Sequence, residues 1–263
     1  MYGRKHAAFS IDDENEEFFI GGRTMKSKRF TIPILLASAL AAVSLAEARH
    51  LRRAPSPAKA EGFVDEVTNK FFPLRPGTTF HYEGTSDGVP VSDDMTVTHD
   101  IKVILGVSCT VVQDRAYENG IQVEDTFDWY AQDLEGNVWY FGEDTRQLDP
   151  NGNVIGTEGS WEAGVNGAQQ GIIMEANPGV GDRYQQELAP GVAEDLARVS
   201  NLNKTVCVPY GCFDDVLKTR EWSTLEKNVV ENKYYAENVG DLLEVMVKGG
   251  DERIELKSIS HEP

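Results

Sequence analysis

The sequence predicts an all-β protein, an antiparallel meander forming a curved sheet, half-barrel or barrel with few short helices. Three observations carry this. Apolar residues alternate with polar ones over long stretches on both sides of the middle of the chain. Turn signals such as Asn119-Gly120, Asp149-Pro150-Asn151-Gly152 and Gly249-Gly250 separate those stretches at hairpin spacing. No long amphipathic helical period follows residue 48, so sheet must cover sheet.

The first 48 residues have a different character. Met25 to Ala48, MKSKRFTIPILLASALAAVSLAEA, has the layout of a cleaved secretory signal. Lys26, Lys28 and Arg29 precede an apolar stretch from Ile32 to Leu45, and Ala46 and Ala48 are the small residues a signal peptidase reads. The apolar stretch is shorter than the roughly 20 residues of a membrane span. Residues 1–48 therefore read as an N-terminal leader and signal peptide, with translation starting at Met1 or at Met25. This places the mature protein in the periplasm or outside the cell, with no membrane span after cleavage. No Cys stands at the cleavage site, which argues against a lipid anchor. Residues 49–62, RHLRRAPSPAKAEG, are basic and rich in Pro and Ala, the composition of a disordered linker. Residues 63–263 form a single β-rich domain.

Within that domain, KFFPLRPGTTFHYEG gives an extended entry, a turn at Pro76-Gly77 and a first strand from Thr78 to Glu83. Asp94 to Ile104 alternates, with Met95, Val97, His99, Ile101 and Val103 on one face, so His99 reads as a core-facing or rim histidine. SCTVVQDRAYE follows a turn at Gly106, and Asn119-Gly120, both tolerant of positive φ, links it to IQVEDTFDWYAQD. A short loop, Leu134 to Asn137, leads into VWYFGED. The glycine-rich middle reads as short strands and ordered loops, with AEDLARVSNL open to either helix or strand. DVLKTREWSTLE and three further strands with turns at Asn238 to Gly240 and at Gly249-Gly250 complete a second meander.

The formal net charge is −18, from 43 acids and 25 Lys or Arg. Such acidity excludes nucleic acid and anionic lipid surfaces as natural partners and suits a cationic ligand or a metal ion. A solvated acidic surface is the plainer use of it. Of the three cysteines, Cys207 and Cys212 in CVPYGC can close a small loop in an oxidising compartment, and no zinc spacing appears. The cysteines read as structural or incidental.

The run FDDVLKTREWSTLE…ENKYYAENVGDLLEVMV, with DWYAQD…GNVWYFGE and GSWEAG, resembles an uncharacterised secreted bacterial family. The meander rhythm of the last third is also similar to the half-barrel of periplasmic lipoprotein carriers of the LolA type. Those carriers have helices plugging the half-barrel, for which this sequence has no strong candidates.

Catalytic motifs are sparse. There is no G-x-S-x-G elbow, no phosphate-binding loop, and few histidines to serve a nucleophile. Carboxylates are the abundant reactive group. Asp128, Glu143, Glu162, Glu175, Glu187, Glu194 and Asp195 are candidates for an acid pair acting on a glycan, with tryptophans to stack on sugar rings. DLEGNV and DPNGNV carry calcium-type ligands without a complete calcium loop, so calcium is a possible cofactor and no other is expected. The densest feature is DWYAQDLEGNVWYFGED, five aromatics and five acids in seventeen residues. Alternation puts Glu124, Thr126, Asp128 and Tyr130 on one face of its first strand and Val123, Asp125, Phe127, Trp129 and Ala131 on the other. In the second strand Trp139, Phe141 and Glu143 oppose Val138, Tyr140 and Gly142. The face with Asp128, Tyr130 and Tyr140 can wall a pocket if the sheet curves. The candidate ligand-binding set is Asp128, Tyr130, Tyr140, Trp161 and Glu162, with no catalytic or metal-ligating residues assigned. The function expected is non-enzymatic, a small-ligand-binding or envelope-associated protein taking a small apolar or cationic ligand. A carboxylate-dependent glycan hydrolase and a purely structural or interaction protein are the alternatives.

Overall fold

The computed structural model describes residues 62–262. The leader, signal-peptide and most of the linker expectations fall on residues 1–61, outside the described residues. The described residues form strands and no helix. β1 (Phe63–Val64), β2 (Val67–Asn69) and β3 (Phe72–Leu74) come first. They lead into the long β4 (Thr78–Ser86), β5 (Val89–Ile104), β6 (Val107–Glu118), β7 (Ile121–Asp133) and β8 (Val138–Leu148). Short strands cross the middle: β9 (Val154–Gly156), β10 (Trp161–Glu162), β11 (Gln169–Met174), β12 (Arg183–Gln185) and β13 (Glu187–Leu188). The second meander is β14 (Asp195–Val208), β15 (Gly211–Ser223), β16 (Val230–Ala236), β17 (Gly240–Lys248) and β18 (Glu252–His261). AEDLARVSNL is thus strand.

Hydrogen bonding runs in the order β12-β14-β15-β16-β17-β18-β4-β5-β6-β7-β8-β11-β13. The two ends of this path, β12 and β13, are consecutive in sequence with only Gln186 between them. β12 pairs with β14 and β13 with β11, so Arg183–Leu188 divides its bonds between the two flanks. The antiparallel sheet is thereby nearly closed into a barrel, with this segment as its seam. Gly171 of β11 makes the approach possible, because a Cβ there would sit 2.1 Å from the Gln186 carbonyl oxygen. The two meanders join elsewhere, where β18 lies along β4.

Turn chemistry explains the tight connections. Asn119 and Gly120 both take positive φ, 50° and 77°, as a two-residue hairpin matched to strand twist requires. At the next hairpin Leu105 itself adopts φ 52° before Gly106, a strained choice for a leucine. The β14–β15 hairpin is locked by the Cys207–Cys212 disulfide, which joins directly opposed residues. Cys109 is free and buried, and burial pushes its thiol up to about 12.

The expected apolar face of β5 does not persist. A register shift between Val97 and Ile101 inverts the alternation. Val97 is fully buried, whereas Ile101 and Val103 are 55% and 66% exposed and the inward role at that end passes to Ile104. His99 falls within the irregularity, is exposed, and its Nε2 lies 3.3 Å from Glu262 Oε2. It does not face the core. The packed core draws on both meanders and on the β2–β3 hairpin, with Val97, Val112, Phe141, Leu217, Leu242 and Leu256 among its fully buried side chains.

Candidate functional site

Two neighbouring spaces in the barrel share part of their lining. The larger, about 230 Å³, is walled by inward-facing residues of both meanders and of the seam. Eleven carboxylates line it: Asp93, Asp114, Glu124, Asp128, Glu143, Glu158, Glu187, Asp195, Glu231, Glu244 and Glu252. The smaller, about 140 Å³, shares Asp93, Asp114, Lys233 and Glu244 with it and adds Glu221 and Asp241. Its other walls are aromatic and apolar, with Phe72, Phe80, Tyr82, Tyr130 and Tyr235. Among the described residues lining either space, Lys233 is the one cation. An acidic chamber therefore borders a tyrosine-rich one.

The wall formed by β7 and β8 follows from alternation and one bulge. Glu124, Thr126 and Asp128 line the larger space and Tyr130 the smaller, two residues apart each time. On β8, Gly142 takes φ 127° and the register shifts between Asp128 and Tyr130. This bulge returns Glu143 to the side of Tyr140, directly opposite Asp128, and corrects the expectation that Glu143 shares a face with Phe141. A side chain at 142 would collide with the Trp161 carbonyl oxygen, 2.1 Å from where its Cβ would be.

The result is a compact group around one phenol. The Tyr140 hydroxyl lies 2.5 Å from Asp128 Oδ1 and 3.2 Å from Glu143 Oε2. It donates its single proton to one carboxylate, and the other carboxyl reaches it well only by donating a proton of its own. Tyr130 stacks on Tyr140 with ring centroids 4.7 Å apart, Phe72 packs edge-on against Tyr130, and Trp161 packs edge-on against Tyr140. Trp161 is buried, and its Nε1 has no hydrogen-bond partner.

Four of the five expected ligand-binding residues, Asp128, Tyr130, Tyr140 and Trp161, are thus brought together. Glu162 is placed elsewhere: it ion-pairs with Lys102 at 2.7 Å, and the same Lys102 ammonium sits 3.1 Å from the centre of the Trp129 ring. Glu187 and Asp195, expected only as members of an acid pair, also face the larger space, whereas Lys233 and the acids on β15 to β18, Glu221, Glu231, Asp241, Glu244 and Glu252, escape the sequence reading. Their one signal is the spacing Glu231, Lys233, Tyr235, charged residues in step with a buried tyrosine.

Burial dominates the electrostatics. It raises Asp128 to about 7, against the opposing Tyr140 hydrogen bond and with help from Glu124 and Asp93. Burial, then Asp128 and Glu124, hold Glu143 well above the carboxylate range. Glu187 is held well above it by burial and then Asp195 and Glu143. Glu231 is raised by burial to about 8, Lys233 opposing. For Lys233 burial favours the neutral amine, but Glu244, Glu221, Glu231 and Asp241 overturn this and keep it charged. Its Nζ lies 3.2 Å from Glu244 Oε1. The interior thus holds one alkylammonium among carboxyl groups, several of which burial makes bind a proton more tightly than an ordinary carboxylate does. Among the described residues, no group of three or more His, Cys, Asp or Glu is arranged to hold a metal ion.

No protein-family model matches the chain, and comparison with curated proteins finds no match. Two solved structures are similar. One is a protein from Bacteroides fragilis designated exported, with a YmcC-like fold. It is 16% identical, has a TM-score of 0.44, and covers 73% of this chain and 99% of its own. The other, from Parabacteroides distasonis and designated a lipoprotein, is 10% identical with a TM-score of 0.40 and the same coverages.

Proposed function

We propose that this is an extracytoplasmic binding protein whose barrel interior takes a small organic cation with an apolar portion. The observation that carries the reading is the cavity itself. Eleven carboxylates and one ammonium line the larger space, and it borders a chamber walled by tyrosine and phenylalanine. A desolvated alkylammonium gains from carboxylates in low dielectric and from aromatic faces. Lys233 already shows such a group seated there. The extracytoplasmic part rests on the signal-like Met25 to Ala48.

The test is native mass spectrometry of protein recovered from its own host, followed by thermal shift with putrescine, spermidine and calcium. The expected result is a retained or added amine, with a melting temperature that rises with amine concentration. No response to any amine and no retained mass would overturn the reading. A rise with calcium alone, reversed by chelator, would replace the amine by the metal.

The Asp128–Tyr140–Glu143 group favours one second reading, an acid-pair hydrolase, because both carboxyls touch one hydroxyl and Asp128 is poised near 7. It requires turnover of a glycoside panel that Glu143→Gln abolishes. Turnover that survives Glu143→Gln, or none at all, removes it.

A further inference from the structure

We propose that the cation is an arylalkylamine, one aromatic ring joined through a short arm to one ammonium. It binds ring-first, with the ring in the smaller space and the ammonium among the carboxyls of the larger. This deepens the cation reading and rests on it.

One end of the barrel is shut. The β2–β3 hairpin lies across it and is tied on opposite sides. Toward β7, β8 and β11, Thr68 N–H donates to Gln132 Oε1 at 2.8 Å, and the buried Asn69 amide donates to the carbonyls of Gly136 and Glu175 at 2.9 and 3.1 Å. Toward β16 and β17, the Asn238 N–H in the turn between them donates to the Lys70 carbonyl at 2.6 Å. Phe72, Pro73 and Leu74 of the hairpin wall part of the smaller space, and none of that space's lining residues is exposed. The larger space lies toward the other end. Asp195 and Glu252 are the first residues of β14 and β18, Ser223 is the last of β15, and the exposed Glu158 carries the lining to the surface. A ligand therefore meets carboxyls first and aromatic walls last.

The smaller space has the size of one ring. Its volume is about 140 Å³, and an apolar cavity of roughly 150 Å³ accepts benzene. Phe72, Phe80, Tyr82, Tyr130 and Tyr235 offer a ring both faces and edges. The acids that border this space alone, Glu221 and Asp241, are met from within the chain. Thr219 Oγ1 donates to Glu221 at 2.6 Å and Leu243 N–H to Asp241 at 3.2 Å. Lys233, which lines both spaces, lies 3.2 Å from Glu244 Oε1. A diamine reaching inward would bring its second ammonium up against that of Lys233, so the inner end of the ligand is uncharged.

The larger space has acceptors to offer. Asp195 lines it with Oδ1 buried and without a hydrogen-bond partner, and Asp128 and Glu143 share the single hydroxyl proton of Tyr140. An alkylammonium brings three donors to such a group. The spacing agrees. Asp128 lines the larger space and Tyr130 the smaller, two residues apart on β7. That is roughly 7 Å along a strand, the reach of a ring with a two-carbon arm.

Isothermal titration calorimetry with phenethylamine, putrescine and the uncharged 2-phenylethanol tests this. Phenethylamine should bind about tenfold or more tighter than either of the others. Val239→Phe places a ring in the smaller space, which Val239 lines. It should weaken phenethylamine by about tenfold and leave putrescine within about twofold. Putrescine or 2-phenylethanol binding as tightly as phenethylamine would overturn the ring-first arrangement, and the comparison on the unaltered protein decides this even if the variant does not fold. An equal effect of Val239→Phe on both amines in folded protein would overturn it too. Putrescine binding without a preference for the ring leaves the cation reading standing, whereas silence to both amines removes that reading and this one with it.

Discussion

Tyr140 has one hydroxyl proton and two carboxyl neighbours, so its role is to let Asp128 and Glu143 share a buried space. Tyr140→Phe removes the mediator and leaves carboxyl oxygens without their donor, at an expected cost of about 1–3 kcal/mol in urea unfolding. The loss should be larger at pH 8 than at pH 5, where protonated carboxyls can donate to each other. Equal losses at both pH values would show that the hydroxyl merely fills volume. This group also shows how far sequence reaches. Asp128, Tyr130 and Tyr140 are legible because simple alternation holds along their part of the hairpin. Glu143 is not, because Gly142 inserts one residue and a bulge leaves only an ambiguous glycine in the text. Lys233 looks like a solvated charge until Glu231 and Tyr235 are seen to flank it inside.

At the scale of elements, the meanders are legible because each hairpin carries its own turn chemistry, as at Asn119-Gly120. β5 misleads where an internal irregularity, with no glycine or proline to mark it, turns Ile101 and Val103 outward. In the second meander, the Cys207–Cys212 link closes a loop between residues only five apart in sequence. A loop that short implies about 2 kcal/mol of chain-entropy stabilisation. Unfolding with and without reductant should differ by that amount, with β14 and β15 still formed after reduction because their ladder extends far beyond the link. Loss of the whole fold on reduction would show that the hairpin tip does more than bound a loop.

At the scale of the molecule, the interior carboxyls set the response to pH. Asp128 at about 7, Glu231 at about 8 and the raised Glu143, Glu187 and Asp241 all bind protons more tightly folded than unfolded. Their contribution is therefore fully present below about pH 4, the unfolded carboxyl range, and declines as pH rises through the folded values. Urea midpoints should fall steadily from pH 5 to pH 8.5, opposite to the usual acid sensitivity; a midpoint rising over that range would contradict the buried, protonated interior. Closure is the part of the architecture least visible in sequence, because Arg183–Leu188 splits its pairing between β11 and β14 and belongs to neither meander. The pairing of β18 with β4 has a consequence of its own for biogenesis. A chain emerging from its N-terminus presents β4 long before β18 exists, so the edge of β4 waits uncovered while some 170 residues are still being made. Any chain stopped short of Glu252 keeps two bare strand edges, on β4 and on β17, and should be recovered as aggregate or as fodder for quality-control proteases.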